Sequence, residues 1–255
     1  SAASDVYKRQ ISVWLGIAAG LWLLGGLAEG RARMALWIVA LLIDLSGPAN
    51  GFYVPGLGRS TTQDWQVDAR HMAERCAGFV LIALGESITV IGANFSELHW
   101  GAPTCLAALL ALLAAFALWW IYFNDAAERT AHAFAHAQDV GKIARAAYTY
   151  AHGLLVAGVI VVAAGDAFLL EDPLHAPTMG QGLMLLGGPA AFLLGNGIFR
   201  RMLHPRFPPS HRYGLGLMAG LALAAPFAPL WLLGALVLAV LLAVILISNK
   251  LAGPS

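Results

Sequence analysis

Four polar side chains in an otherwise apolar stretch carry most of the chemistry this sequence offers. They lie in His71-Met72-Ala73-Glu74-Arg75 and, further along, in Leu84-Gly85-Glu86-Ser87. On a helix, Arg75 follows His71 by four residues and shares its face. Glu86 follows Arg75 by eleven, so at about 100° per residue it falls about 20° from that face and about 16 Å deeper along the axis. Glu74 points one residue round. If the helix crosses a bilayer, His71 and Arg75 sit near one interface and Glu86 near the middle. A central charged residue costs about 2.5–3.5 kcal/mol on insertion scales. Such a carboxylate is expected to face the bundle and to pair, take up a proton or meet water. It reads either as a proton or cation site or as an interhelical hydrogen bond to Ser, Thr or backbone. His-x-x-Glu-Arg lacks the second histidine of a zinc-protease helix, so neither a metal nor a catalytic step is assigned, and the chain is expected not to be an enzyme.

Further polar residues lie in or near apolar runs. Asp44 falls in one run and Asn196 in another, His152 starts a third, and Asp166 lies near the end of that third run. Tyr122 and Asp125 close the segment Trp119-Trp120-Ile121-Tyr122-Phe123-Asn124-Asp125, which has the composition of an interfacial aromatic belt. His152 is a candidate partner for Glu86 or the His71 group; a satisfied core histidine is the simpler alternative. His132 and His136 have an i, i+4 metal-ligand spacing, but no further ligand lies nearby in sequence, and a solvated helix face is the simpler reading. Gly16-x-x-x-Gly20 and Gly216-x-x-x-Gly220 have the spacing of small-residue packing motifs. Cys76 and Cys105 form no CxxC or zinc pattern and read as small packing residues.

These residues need a scaffold, and composition identifies its solvent. The chain has 255 residues, 59% hydrophobic and only 11% charged, where a soluble domain carries roughly 25% charged residues. The surface of such a chain is solvated by lipid. A formal net charge of +1 provides no basic face for nucleic acid. Apolar runs near the length of a bilayer crossing, about 17–25 residues, occur at roughly 11–28, 32–47, 72–93, 102–123, 147–169, 180–199, 213–229 and 231–248. Their continuous apolar character excludes the alternation of barrel strands. The fold class is therefore all-α, a polytopic bundle of about eight spanning helices. The last two runs meet at Ala225-Pro226-Phe227-Ala228-Pro229, a tight hairpin or a kink. Alternate connections hold eleven Lys or Arg residues on one face, including Arg200, Arg201, Arg206, Arg212 and Lys250, against Arg31 and Arg33 on the other. Lys and Arg are enriched in cytoplasmic loops, so the C-terminus is expected in the cytoplasm. The polar stretch 46–68, rich in Gly, Pro and aromatics, is expected to form ordered turns.

The order of these motifs carries a resemblance. His71-x-x-Glu74-Arg75, Leu84-Gly85-Glu86-Ser87-Ile88, Trp120-x-Tyr122-Phe123 and Tyr150-Ala151-His152-Gly153 resemble the bacterial low temperature requirement protein A family from about residue 65 to the C-terminus. The resemblance implies a multi-pass protein of the bacterial inner membrane and implies that His71, Glu74, Arg75, Glu86 and His152 belong to the family pattern. It implies no particular molecular activity. The family usually opens with a helix reading like Glu-x-Phe-Phe-Asp-Leu-Val-Phe, which is missing here. Residues 1–10 look like translated adapter sequence. A non-native leader at 1–10 and one transmembrane helical domain at 11–255, incomplete at its N-terminus, are therefore expected. The function expected is that of a transporter or channel-like protein built around a buried Glu/His/Arg cluster. The alternatives are a structural or sensory membrane protein or an intramembrane metal-dependent enzyme. The expected partners are the bilayer, a small ion or solute and another copy in an oligomer; no cofactor and no nucleic acid are expected.

Overall fold

The structure is a computed structural model that describes residues 2–60, 69–98, 100–124, 140–203 and 206–252. Its helices are α1 (Ala2–Leu27), α2 (Gly30–Ala49), α3 (Ala69–Glu97), α4 (Ala102–Phe123), α5 (Val140–Ala144), a π-helical segment (Arg145–Ala151), α6 (His152–Glu171), α7 (Met179–Leu203), α8 (Pro209–Ala224), a 3₁₀ turn (Ala225–Phe227) and α9 (Leu230–Ala252). Among the described residues no strand forms beyond one isolated bridge, Val54–Gly58. Among the described residues seven helical stretches are long and apolar enough to cross a membrane: Asp5–Leu27, Gly30–Ala49, His71–Glu97, Ala102–Phe123, Gly141–Glu171, Met179–Met202 and Leu230–Leu251. The eighth expected crossing, 213–229, falls on the 16-residue α8 and the 3₁₀ turn. It is shortened where Pro226 and Pro229 remove backbone donors. The break is a hairpin turn, and the start of α9 just after it is tied to the α6–α7 connection by Leu230 N–H to His175 O and Trp231 N–H to Pro173 O, both 2.9 Å.

The chain forms two compact units. One comprises Ser1–Val67 with Gln138–Arg145, the other Asp68–Ala137 with Ala146–Ser255. In the first unit α1 and α2 make an antiparallel hairpin. Trp22 donates its indole N–H to the Asp44 carboxylate at 3.0 Å, and Trp37 donates to Trp22 O at 3.3 Å. The described part of the polar stretch after α2 is a folded set of turns. Gly51, Gly56 and Gly58 take positive φ there, and so does Phe52 at 49°, a conformation that is strained for a residue with a Cβ. Gln10, nearly fully buried, donates to Leu57 O and Gly58 O at 3.1 and 3.0 Å, and Trp14 donates to Tyr53 O at 3.0 Å. Arg145 donates to Pro48 O at 2.8 Å. These bonds satisfy carbonyls that lipid would leave bare.

The second unit is built around the α6–α7 pair. A Cβ on Gly158 would stand 2.5 Å from Phe192 N, one on Gly188 2.6 Å from Val162 N, and one on Gly195 2.7 Å from Leu155 N; Gly165 lies against Leu185 in the same way, at 3.0 Å. The two glycines on each helix are seven residues apart, so they recur on one face and let the backbones touch. Lipid is as apolar as leucine, so close van der Waals packing, rather than burial from water, holds such helices together. By contrast, Gly16, Gly20, Gly216 and Gly220 have nothing within 4 Å of a built Cβ. The two expected packing motifs therefore do not form contacts among the described residues. Phe192, Leu118, Leu155, Leu193, Leu233 and Leu241 fill the core between α4, α6, α7 and α9.

Candidate functional site

Polar residues of the second unit gather in two places. The first is the face of α3. Its buried side is Val80, Leu84, Ser87 and Ile91, spaced at i, i+4, i+7 and i+11. Glu86 is one residue round from Ser87. The 3.6-residue period that buries the first set leaves His71, Glu74, Arg75 and Glu86 exposed. The stripe expected to face the bundle interior thus lies on an open face. Glu86 lines a groove of about 480 Å³ between α3 and α6, with Phe79, Ile82, Ser87, Ile160 and Ala164 among the other walls. Nothing among the described residues hydrogen-bonds to the Glu86 carboxyl. Beside it, Ser87 donates to Val159 O at 3.5 Å, which ties α3 to α6 at that depth.

The second place is the end of the unit where α4, α7 and α9 finish and α6 and α8 begin. His152, 3% exposed, is not a partner of Glu86. Its Nδ1 lies 2.8 Å from Ala147 O, and since a carbonyl only accepts, Nδ1 carries the proton. In the neutral ring Nε2 then accepts the Tyr122 O–H at 2.9 Å. Phe199 meets the ring edge-on at 4.7 Å between centroids, and Tyr148 lies at 5.5 Å. His152 directly follows the π-helical segment Arg145–Ala151; such wide turns are frequent at functional sites because they re-aim the side chains that follow. Tyr122, one of the belt residues at sequence level, is buried at 4% exposure, whereas Trp119 and Trp120 remain outside at 39% and 43%.

Beside this pair runs a directed hydrogen-bond chain. Asn196 Oδ1 accepts from Arg200 Nε at 3.0 Å and from His211 Nε2 at 2.8 Å; two donors on one atom identify it as the amide oxygen. With Nε2 protonated, His211 Nδ1 accepts the Ser210 O–H at 3.1 Å, and Ser210 Oγ accepts from Ser248 at 2.8 Å. Arg200 also donates to Ile121 O at 2.8 Å. One chain thus joins α9, α8, α7 and α4. His211 lies outside the seven spans; burial, reinforced by the Arg200 guanidinium, pushes its pKa down to about 3 and keeps the ring neutral.

Of the candidate site residues singled out from sequence, Tyr122 and His152 are brought into direct contact. Asn196 joins a different set, and Asp44 belongs to the α1–α2 hairpin of the first unit. Asp125, His132 and His136 lie outside the described residues. Asp166, 3% exposed, keeps one carboxylate oxygen without a hydrogen-bond partner among the described residues. Ser210, His211, Ser248 and Arg200 escaped the sequence reading as a set. The available signal was that polar residues sit at matching ends of successive apolar runs; which of them touch is a tertiary fact. Among the described residues no three His, Cys, Asp or Glu side chains converge as a metal site.

Seven helices among the described residues that are long and apolar enough to cross a membrane define a multi-pass helical membrane protein. The chain belongs to the bacterial low temperature requirement A protein family, whose model matches residues 2–246. It is 37% identical over 247 residues to an uncharacterized protein of Rhizobium meliloti (strain 1021), a match that covers 95% of this chain and 59% of that relative's length. No solved structure matches it.

Proposed function

We propose that the protein is a transporter or channel-like protein of the bacterial inner membrane, with its C-terminus in the cytoplasm, and that Glu86 is the group past which a proton or small cationic solute moves. The observation that supports this reading is the setting of Glu86. It lies near the middle of the third span, in a groove otherwise lined by apolar side chains and Ser87, with no hydrogen bond among the described residues. A carboxylate held there for structure alone would be expected to have a donor beside it, because an unpaired one costs free energy. A carboxylate that binds and releases a cation needs the opposite, a site free to be filled. Arg75 and His71, on the same face of α3 toward one interface, are the residues that would set the field along its approach. The orientation rests on the excess of Lys and Arg at the C-terminal end. The reading includes no catalytic step and no resident cofactor; its partners are the bilayer, the transported ion or solute, and further copies in an oligomer.

A structural or sensory role is the second reading, and the Ser248–Ser210–His211–Asn196–Arg200 chain favours it, since its donors and acceptors match link by link and tie helix ends together. The two readings separate in a flux assay. With the protein reconstituted in liposomes, proton and monovalent-cation fluxes are measured for the wild type and Glu86→Gln. The transporter reading expects flux that falls at least tenfold in the variant. Wild-type flux indistinguishable from empty liposomes, or flux that Glu86→Gln leaves unchanged, would overturn it.

A further inference from the structure

We propose that the end of the second unit carrying Arg206, Arg212 and Lys250 is a docking surface for anionic phospholipid headgroups. From Pro173 to the C-terminus the sequence has five cationic side chains, Arg200, Arg201, Arg206, Arg212 and Lys250, and no Asp or Glu. The fold gathers all five at one end. Ser248 bonds to Ser210 at 2.8 Å and His211 to Asn196 at 2.8 Å, so the last turns of α7 and α9 and the first turn of α8 lie side by side. Asn249 adds a bond to Asn124 of α4 at 3.0 Å.

The cations differ in what holds them. Arg200 is half-buried and fixed by Asn196 and Ile121 O. Arg206, Arg212 and Lys250 are exposed, and no hydrogen bond or ion pair holds their side chains among the described residues. They are nevertheless displayed from a fixed corner: the Phe207 ring packs on Gly197, where no Cβ would fit, and meets the His211 ring at 6.4 Å. Their depth selects the ligand. The sixth span ends at Met202 and the seventh at Leu251, so these side chains stand where apolar helix meets the headgroup layer. Phosphodiester oxygens are the anions concentrated in that layer, and the planar guanidinium fork suits them. With no carboxylate in this part of the chain to compete, lipid phosphate supplies the counter-charge. A free phosphate ion would need an enclosed cradle of donors, whereas these cations are spread along an open rim.

The test is a lipid titration of the full chain in a neutral detergent, read by native mass spectrometry, with phosphatidylglycerol and phosphatidylcholine as probes. Phosphatidylglycerol is expected to bind more tightly, and the preference is expected to shrink as salt rises. In Arg206→Gln/Arg212→Gln/Lys250→Gln the affinity for phosphatidylglycerol should fall, about fivefold per charge removed. Arg206→Lys/Arg212→Lys, which keeps the charge, should retain most of it and shows that the corner still folds. Arg31→Gln/Arg33→Gln, in the other unit, should leave binding unchanged. Equal binding of the two lipids, a triple variant that binds like the wild type, or displacement of phosphatidylglycerol by millimolar inorganic phosphate would each overturn the proposal.

Discussion

The second unit treats its polar residues in two opposite ways. At the end where α4, α7 and α9 finish, Tyr122, His152, Asn196 and His211 are buried and each has a defined partner, with donor and acceptor roles that can be assigned atom by atom. On α3, Glu86 lies near mid-span, where an unpaired polar group costs most, and it faces a groove with no hydrogen-bond partner among the described residues. The difference separates two uses of polarity in a membrane. A closed network exchanges its desolvation cost for fixed helix ends. An open carboxylate retains its cost and its capacity to bind. Stability should therefore depend on the first region and hardly at all on the second.

Four substitutions or conditions break or sharpen this contrast. Gly188→Leu removes the frame on which both regions stand. Its side chain meets Val162 backbone where even a Cβ stands at 2.6 Å, and a loss of more than about 4 kcal/mol, or no folded protein, is expected. Detergent-solubilised yield and thermal unfolding measure it; a variant that unfolds like the wild type would show that the α6–α7 contact is looser than described. Asn196→Leu removes the acceptor shared by Arg200 and His211; Arg200 keeps its bond to Ile121 O, but the buried His211 Nε2–H loses its acceptor, for a cost of about 1–3 kcal/mol. A loss under about 0.5 kcal/mol would mean that the chain is not a clamp.

Acid gives the third measure. His211 is held neutral in the fold, with a pKa of about 3, below the ordinary value of about 6.5 for an unfolded histidine. Between those values the unfolded chain binds the proton and the folded one does not. The contribution of this histidine is thus fully present above about pH 6.5 and declines as pH falls toward 3, by at most about 1.4 kcal/mol per pH unit. Unfolding midpoints compared between wild type and His211→Gln across that window should converge on acidification; parallel curves would show that folding leaves the His211 pKa unshifted. The smallest effect is expected for Glu86→Gln, within about 0.5 kcal/mol of the wild type in thermal unfolding. A loss of 2 kcal/mol or more would mean that Glu86 is held by a structural partner, and the contrast between the two regions would disappear.

Much of this molecule is legible in the sequence. The apolar runs locate most helices to within a few residues, and α3, α4, α6, α7 and α9 coincide with expected crossings, whereas α1 begins at Ala2, well before the run expected from residue 11. The shortfall at 213–229 was also marked in the sequence by its prolines. Tyr122, His152 and Asn196 stood out as polar residues in apolar surroundings. The sequence did not reveal that His152 turns to Tyr122 rather than Glu86, because a helical wheel gives the angle of a side chain about its own axis and leaves the neighbour's angle free. Nor did it separate the glycine pairs. Gly16 and Gly20 show the more familiar spacing, yet Gly158, Gly165, Gly188 and Gly195 make the contact.

The sequence alone determined that the solvent is lipid, that the elements are helices, that Lys and Arg recur in alternate connections and that Glu86 sits deep in an apolar run. These follow from composition and period, which act within one segment and need no partner. The tertiary structure decided which polar groups are satisfied and which stay open. Hydrogen bonds and backbone contacts between helices act over about 3 Å, so a rotation of one helix by a single residue, about 100°, exchanges a buried face for an exposed one. That rotation buries Ser87 and leaves Glu86 open, and it results from the packing of α3 against α4 and α6 rather than from the polarity of either residue.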